Sequence, residues 1–378
     1  MRSSRPAART GRPAGVVGLV VGLLAGLVVL APVLGRGVVL SYDMVFVPDP
    51  PITATVLATD GSVPRAVPTE MVADLLARAV AAAAVQQALL LAVFVVAGWG
   101  AARLLQTRCG SAAAAVAYAW NPYVAERLVI GHWSFLLGYA VLPWVAGAAL
   151  AYRRGDGPLP PLLLWLGGAA LAGSTSALIA TGTALAVLGV PDVPLRRRPG
   201  RSEAGDPSGR VEPRRSGPAG PAALGLVVGF AAVVNASWLV PALARPGGVP
   251  SDPAGVPAFA ARADTPLGLV GSIATLGGIW NPAAWPAGRN SALAVVAVAG
   301  VAAVVALGTS RLLAASGAGL VAAAAGGLLL AAAGAVPVLD GVLTAVVVHV
   351  PGGGLLRDGQ KFLAPTALAV ALAAGHAV

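Results

Sequence analysis

The sequence predicts an all-α polytopic integral membrane protein with about ten transmembrane helices and a cytoplasmic N-terminus. Three observations predict it. The 378 residues are 57% hydrophobic and 11% charged, against about 25% charged in ordinary soluble domains. The charged residues leave long gaps at 13–35, 79–102, 109–125, 128–152, 157–191, 216–244, 290–310, 312–339 and 362–378. Most of these approach the ~20 apolar residues that cross a ~30 Å hydrocarbon core. The arginines, finally, alternate between dense and sparse connections, as the positive-inside rule requires.

Arg2, Arg5, Arg9 and Arg12 precede the first apolar run. That run is long for a signal-peptide core and lacks a small-x-small cleavage site, so it reads as an uncleaved first helix. With the N-terminus inside and one crossing per gap, 16 basic residues fall inside: Arg2, Arg5, Arg9, Arg12, Arg103, Arg108, Arg153, Arg154, Arg196, Arg197, Arg198, Arg201, Arg210, Arg214, Arg215 and Arg311. Nine fall outside: Arg36, Arg65, Arg78, Arg127, Arg245, Arg262, Arg289, Arg357 and Lys361. One gap decides this parity. Residues 157–191 carry no charge over 35 positions, ~52 Å as a single helix. A single crossing would put the arginine cluster 196–215 outside, so a hairpin or re-entrant pair is expected, breaking at Gly173-Ser174-Thr175-Ser176.

The chain 1–378 reads as a single transmembrane domain. Its connections are a first outer loop 37–78, a disordered cytoplasmic loop 192–219, an outer loop 245–289 and an outer motif loop 336–361. Val378 follows Lys361 by 17 residues with no polar tail, so the C-terminus is expected to be truncated. The net charge of +10 comes from arginines dispersed among apolar spans, which argues for topology and against nucleic acid. Cys109 is the one cysteine, excluding an intramolecular disulfide and a Cys-based metal site.

On this topology four polar motifs share the outer face: Ser41-Tyr42-Asp43-Met44, Trp120-Asn121-Pro122-Tyr123 through Glu126-Arg127 to Gly131-His132-Trp133, Trp280-Asn281-Pro282, and Gly352 to Phe362. Each also has a structural explanation. Asp43 suits a solvated loop, Asn-Pro pairs end helices, Trp133, Trp144, Trp280 and Trp285 suit interface anchors, and Glu126-Arg127 suits an ordinary ion pair. Lys361 is the only lysine. With Arg357 it forms an i, i+4 pair that one helical turn would point the same way. Two aligned cations beside a glycine-rich approach fit a phosphate, or else snorkelling anchors. His132 at a boundary is neutral or cationic near neutral pH, which suits it to an anionic ligand.

Asp43, the Asn-Pro-Tyr…Gly-His-Trp stretch (121–133) and the Arg-Asp-x-x-Lys-Phe stretch (357–362) resemble the membrane-embedded C-type glycosyltransferases, the GT-C superfamily. The resemblance implies transfer of a sugar from a polyprenyl-phosphate donor to an extracytoplasmic acceptor: an envelope glycan, lipid or protein. It implies Asp43 as the catalytic carboxylate. Arg357, Lys361 and His132 would hold the donor phosphate, with Glu126, Arg127 and Asp358 orienting the acceptor or the cations. The chain departs from the commonest pattern in that no second carboxylate adjoins Asp43, the next being Asp49. No cofactor is expected beyond a divalent metal between Asp43 and Glu126, too few oxygens for a hard cation.

Two other classes compete. A lipid or solute transporter or flippase would place charged groups near the midplane, where this chain offers little beyond Gln86, Gln87 and the Ser/Thr cluster 174–183. A non-catalytic membrane subunit of an envelope-assembly complex would keep the helices and lose the site.

Overall fold

The computed structural model describes residues 11–35, 37–47, 50–61, 63–64, 67–192, 219–245 and 251–378. The expected cytoplasmic loop therefore lies outside the described residues except at its ends, as do Arg2, Arg5, Arg9, Arg36, Arg65 and Asp49. Among the described residues all regular elements are helical. In order they are α1 (Gly11–Leu30), α2 (Thr69–Ala79), α3 (Ala82–Ala102), α4 (Arg108–Ala119), α5 (Pro122–Val129), α6 (Trp133–Arg154), α7 (Pro160–Leu171), α8 (Ser174–Gly189), α9 (Pro221–Val234), α10 (Ala236–Ala244), α11 (Gly255–Ala258), α12 (Gly268–Ala274), α13 (Ala292–Ala333), α14 (Pro337–His349) and α15 (Ala364–Ala377). Short 3₁₀ turns cover Pro282–Ala284, Gly353–Leu356 and Gly359–Leu363.

Among the described residues three helices, α3, α6 and α13, are long and apolar enough to cross a membrane. The pair α9 and α10, bent by 73° at Asn235, makes a fourth if it is one span. Two of the charge-free gaps are divided by helix breakers. Asn121-Pro122 separates α4 from α5, and Gly173, with φ 111°, separates α7 from α8. A glycine adopts that left-handed backbone without a Cβ clash.

The hairpin expected over 157–191 is present as α7 and α8. Its two ends meet: Arg153 pairs with Asp192 at 3.2 Å and donates to Val187 O at 2.6 Å. Its tip reaches the opposite end of the bundle, where Thr69 Oγ1 donates to Leu171 O at 2.7 Å. A second reversal lies inside α13, at Gly317 (φ 71°, ψ −179°). Beyond it, Gly327 lies against Phe362 and Ala324 O accepts from Thr366, so this part runs antiparallel to α15. Before it, Gly308 lies against Ala373 and Arg311 reaches His376 O, so that part runs parallel to α15. Asp192 Oδ1 accepts from Ala318 N at 3.2 Å and caps the returning arm. The turn falls six residues beyond Arg311, where the charge pattern alone would place it.

Packing explains why small residues dominate the core. Gly18, Gly22 and Gly26 recur at every fourth position of α1 and bring it against Gly98, Phe94 and Leu91 of α3. Such spacing lets apolar helices approach backbone to backbone, where dispersion replaces a hydrophobic driving force. At the centre, α15 buries Ala367, Leu368, Ala371 and Leu372 almost completely. Large apolar side chains instead face outward, including Val16, Leu164, Val233, Leu293 and Val338. Contiguous apolar exteriors of this kind suit contact with lipid.

The segments expected to be outer loops hold more structure than loops. α2 closes 37–78, α11 and α12 lie within 245–289, and α14 occupies half of 336–361. Arg357 and Lys361 do not share a helical turn, because the chain leaves helical geometry at Asp358 (φ −90°, ψ 72°) between two 3₁₀ turns. Their side chains part company accordingly.

A leucine at Gly22 would overpack the α1–α3 contact, so Gly22→Leu is expected to lower stability by about 1–3 kcal/mol. Gly229→Leu, at a position with nothing within 4 Å, should not. Thermal unfolding of both variants in detergent checks the difference.

Candidate functional site

The site grows from a tight turn in the first connection. Met44 N donates to Ser41 O at 2.8 Å and Ser41 N to Met44 O at 3.1 Å, with Tyr42 at φ 45° between them. Three grips dock this turn. Gln86, buried in α3, accepts from Val39 N at 2.6 Å and donates to Val39 O at 2.7 Å. Asp43 N donates to Ile130 O at 3.2 Å, and Ser41 Oγ to Val129 O at 2.5 Å. Gly131 (φ 79°) completes the fit, since a Cβ there would strike Ser41 O and Met44 N. The glycine of Gly131-His132 is what lets Asp43 sit beside His132.

From Asp43 a polar chain runs inward. His132 Nε2 lies 3.0 Å from Asp43 Oδ2, and its Nδ1 lies 3.1 Å from Arg127 Nη1. Arg127 grips Asp358 with two parallel bonds, at 2.7 and 3.0 Å. Lys361 Nζ stands 3.5 Å from the same carboxylate and 5.7 Å from the Phe135 ring centre. Tyr123 OH donates to Lys361 O at 2.5 Å, tying α5 to the last 3₁₀ turn. Exposure falls steeply along the chain: the Asp43 side chain is 73% exposed, His132 11% and Arg127 0%.

A second layer lies behind Arg127. Gln360, fully buried, accepts from Arg127 Nη2 and donates to Glu126 Oε2 at 3.1 Å. Glu126 Oε2 also accepts from Ile279 N at 3.3 Å, while Oε1 is buried and receives no donor, leaving it to the neighbouring Asp264 carboxylate when Glu126 is protonated. Asp264 receives two bonds from Arg289, at 2.7 and 2.9 Å, and one from Gly278 N at 3.2 Å.

Burial, then the neighbouring Asp264 carboxylate, push Glu126 up to about 9. Burial would raise Asp264 as well, but the Arg289 hydrogen bonds outweigh it and hold it below its ordinary value. Burial pushes the His132 imidazole down to about 4, against the pull of Asp43. For Asp358 burial loses to Arg127 and Lys361, which hold the carboxyl well below the usual range. Burial lowers Lys361, with Asp358 opposing.

The structure thus brings together Asp43, His132, Arg127, Asp358, Lys361 and Glu126. Arg357 stands apart, its guanidinium stacked over Phe259 at 4.9 Å. Arg127 is sealed, so it can only position its neighbours. Glu126 turns toward Gln360 and Ile279 while Asp43 turns toward His132, so the two do not form a joint metal-ligand pair. Among the described residues no cluster of three or more His, Cys, Asp or Glu could hold a metal. Trp133 is buried edge-on against Phe46 at 5.3 Å and is no surface anchor. Asn281 caps its own turn, accepting from Ala283 N at 3.1 Å.

Gln86, Gln360, Asp264 and Arg289 carry the site without having signalled themselves as its members. Beside Trp133, an apolar slot of about 160 Å³ opens between α2, α3, α6 and α7, lined by residues such as Val72, Leu76, Leu89 and Leu137. No family model, curated protein or solved structure matches the chain.

Stability should follow the pH at which these groups change charge. His132, with its value lowered from 6.5 to about 4, makes stability fall on acidification through that window. Glu126, raised from 4.5 to about 9, binds a proton in the folded state that the unfolded chain has lost, so stability falls as pH rises through its window. The two slopes oppose each other below about 6.5 and only that of Glu126 acts above it. Melting temperature in detergent is therefore expected to decline from pH 6.5 to 9, and Glu126→Gln to flatten that decline.

Proposed function

We propose that this chain is a multi-pass membrane glycosyltransferase. It moves a sugar from a polyprenyl-phosphate donor to an envelope glycan, lipid or protein acceptor on the extracytoplasmic side. The observation that carries the reading is the Asp43–His132–Arg127–Asp358–Lys361 chain. It puts an exposed carboxylate and a lysine ammonium at one end of an apolar bundle, near an apolar slot. The sidedness draws support from α6. Its 22 residues separate the site at His132 from Arg153 and Arg154, ~33 Å apart by helical rise, about one bilayer core. We infer about ten crossings in the cell membrane, the short and bent helices included, with the N-terminus inside and the active face outside.

Chemically, displacement at the sugar C1 breaks the bond to a phosphate oxygen. The phosphate leaves as a stable anion, so the site must supply a base for the acceptor hydroxyl and positive charge for the leaving group. In this reading Asp43 takes the hydroxyl proton as the acceptor oxygen attacks C1. Lys361 meets the departing phosphate. Arg357, stacked on Phe259, takes no part, while Glu126, Arg127 and Asp358 fix the others in place. The slot beside Trp133 receives apolar chain from the donor, holding C1 at the interface by proximity and orientation.

Membranes carrying the protein, incubated with radiolabelled polyprenyl-phosphate sugars, test the activity. Asp43→Asn should lower transfer by about 10²–10⁴-fold, and unchanged transfer removes Asp43 as the base. Sidedness is tested in a Cys109→Ser background. An impermeant maleimide on intact cells should label cysteines placed at Tyr42 and Gly352. A cysteine at Asp156 should react only after permeabilisation. Labelling of positions 42 and 352 from opposite faces overturns the topology.

A further inference from the structure

We propose that Arg127 fixes His132 as its neutral Nε2–H tautomer, which makes His132 the positioning residue that presents the Asp43 carboxylate. The inference deepens the reading of Asp43 as the base and rests on it. The argument begins with donors. A guanidinium has hydrogen-bond donors and no acceptor. Arg127 Nη1 lies 3.1 Å from His132 Nδ1, so that nitrogen must offer its lone pair. The single ring proton then sits on Nε2, 3.0 Å from Asp43 Oδ2, and is donated to it.

Neither alternative fits this place. The other tautomer would set an imidazole N–H against a guanidinium N–H and leave a lone pair facing the carboxylate. An imidazolium would set two cations 3.1 Å apart, in a pocket where Lys361 adds a third charge. Arg127 cannot turn away, because Asp358 and Gln360 hold both of its terminal nitrogens. The groups facing the ring are Asp43, Arg127, Lys361 and Asp358, and Asp43 is the one its remaining proton can serve.

One consequence concerns proton flow. His132 has no free lone pair toward Asp43 and cannot relay a proton inward. The proton taken from an acceptor hydroxyl stays on Asp43 and leaves through that residue's exposed face to water. His132 therefore orients the carboxylate and never exchanges charge with it.

The tautomer is read without substrate, on the intact chain in bilayers, by solid-state ¹⁵N NMR with labelled histidine. The chain has three histidines, and His349→Gln and His376→Gln assign the His132 signals. At pH 7 the expected result is an unprotonated Nδ1 and a protonated Nε2. A protonated Nδ1, in either the other tautomer or the imidazolium, overturns the proposal. A pair of variants then reads the positioning role in the transfer assay. A glutamine amide reaches the place of Nε2, whereas an asparagine amide reaches only that of Nδ1. His132→Gln should outperform His132→Asn by about tenfold, the worth of one hydrogen bond to a charged group. Equal loss in both overturns the positioning role. If the wild type transfers no lipid-linked sugar, the functional reading fails while the NMR result still decides the tautomer.

Discussion

The bidentate pair between Arg127 and Asp358 joins residues 231 apart in sequence and is shut away from solvent. Removing either ion from water costs several kcal/mol, and the attraction between them recovers that only with good geometry and satisfied remaining donors. The geometric condition holds here, while Arg127 Nε is buried without a partner. Two parallel bonds match the guanidinium fork to the carboxylate, and Gln360 takes up the second terminal nitrogen. Deleting one partner would strand the other as a buried charge, a loss of about 3–5 kcal/mol. Helix α5 and the segment before α15 are therefore locked together. His132, Lys361 and the Ile279 turn inherit their positions from that lock.

Charge balance explains why neighbouring groups depart from their ordinary protonation. Asp264 and Asp358 are held as carboxylates by Arg289, Arg127 and Lys361. Glu126 lies beside Asp264 with one oxygen lacking any donor, so its ionisation would add an uncompensated anion in a dry place. It keeps its proton. His132 faces the same constraint with opposite sign, because its protonation would add a cation next to Arg127 and Lys361. With these two groups neutral, Arg127 and Lys361 share Asp358 and Arg289 holds Asp264.

The all-helical character of the chain can be read from where charges are missing, whereas three helices among the described residues are long and apolar enough to cross a membrane. The α7–α8 hairpin fits a charge-free gap too long for one crossing. Asp43, His132, Arg127, Asp358 and Lys361 stand out as polar residues in an apolar chain, and they do converge. The remainder is hidden for physical reasons. The turn in α13 sits at Gly317 because Asp192, distant in sequence, caps the returning arm, and no local pattern reports a long-range cap. Gln86 and Gln360 are uncharged, so a reading based on charge gives them no place in the site, although Gln86 holds both Val39 backbone groups and Gln360 links Arg127 to Glu126. Arg357 was paired with Lys361 by helical spacing, and the break at Asp358 voids that spacing.

The two halves of the site are held by different forces, and this bears on what it can do. The cationic floor is fixed by buried ion pairs and amide bonds whose disruption is costly. Asp43 instead rides on an exposed turn fixed by backbone hydrogen bonds and the Gly131 contact. Such turns open locally at lower free energy than packed cores. An exposed carboxylate thus sits on a docked turn above a more rigid floor. His132 spans the two halves and carries the register of the floor to the turn through one ring.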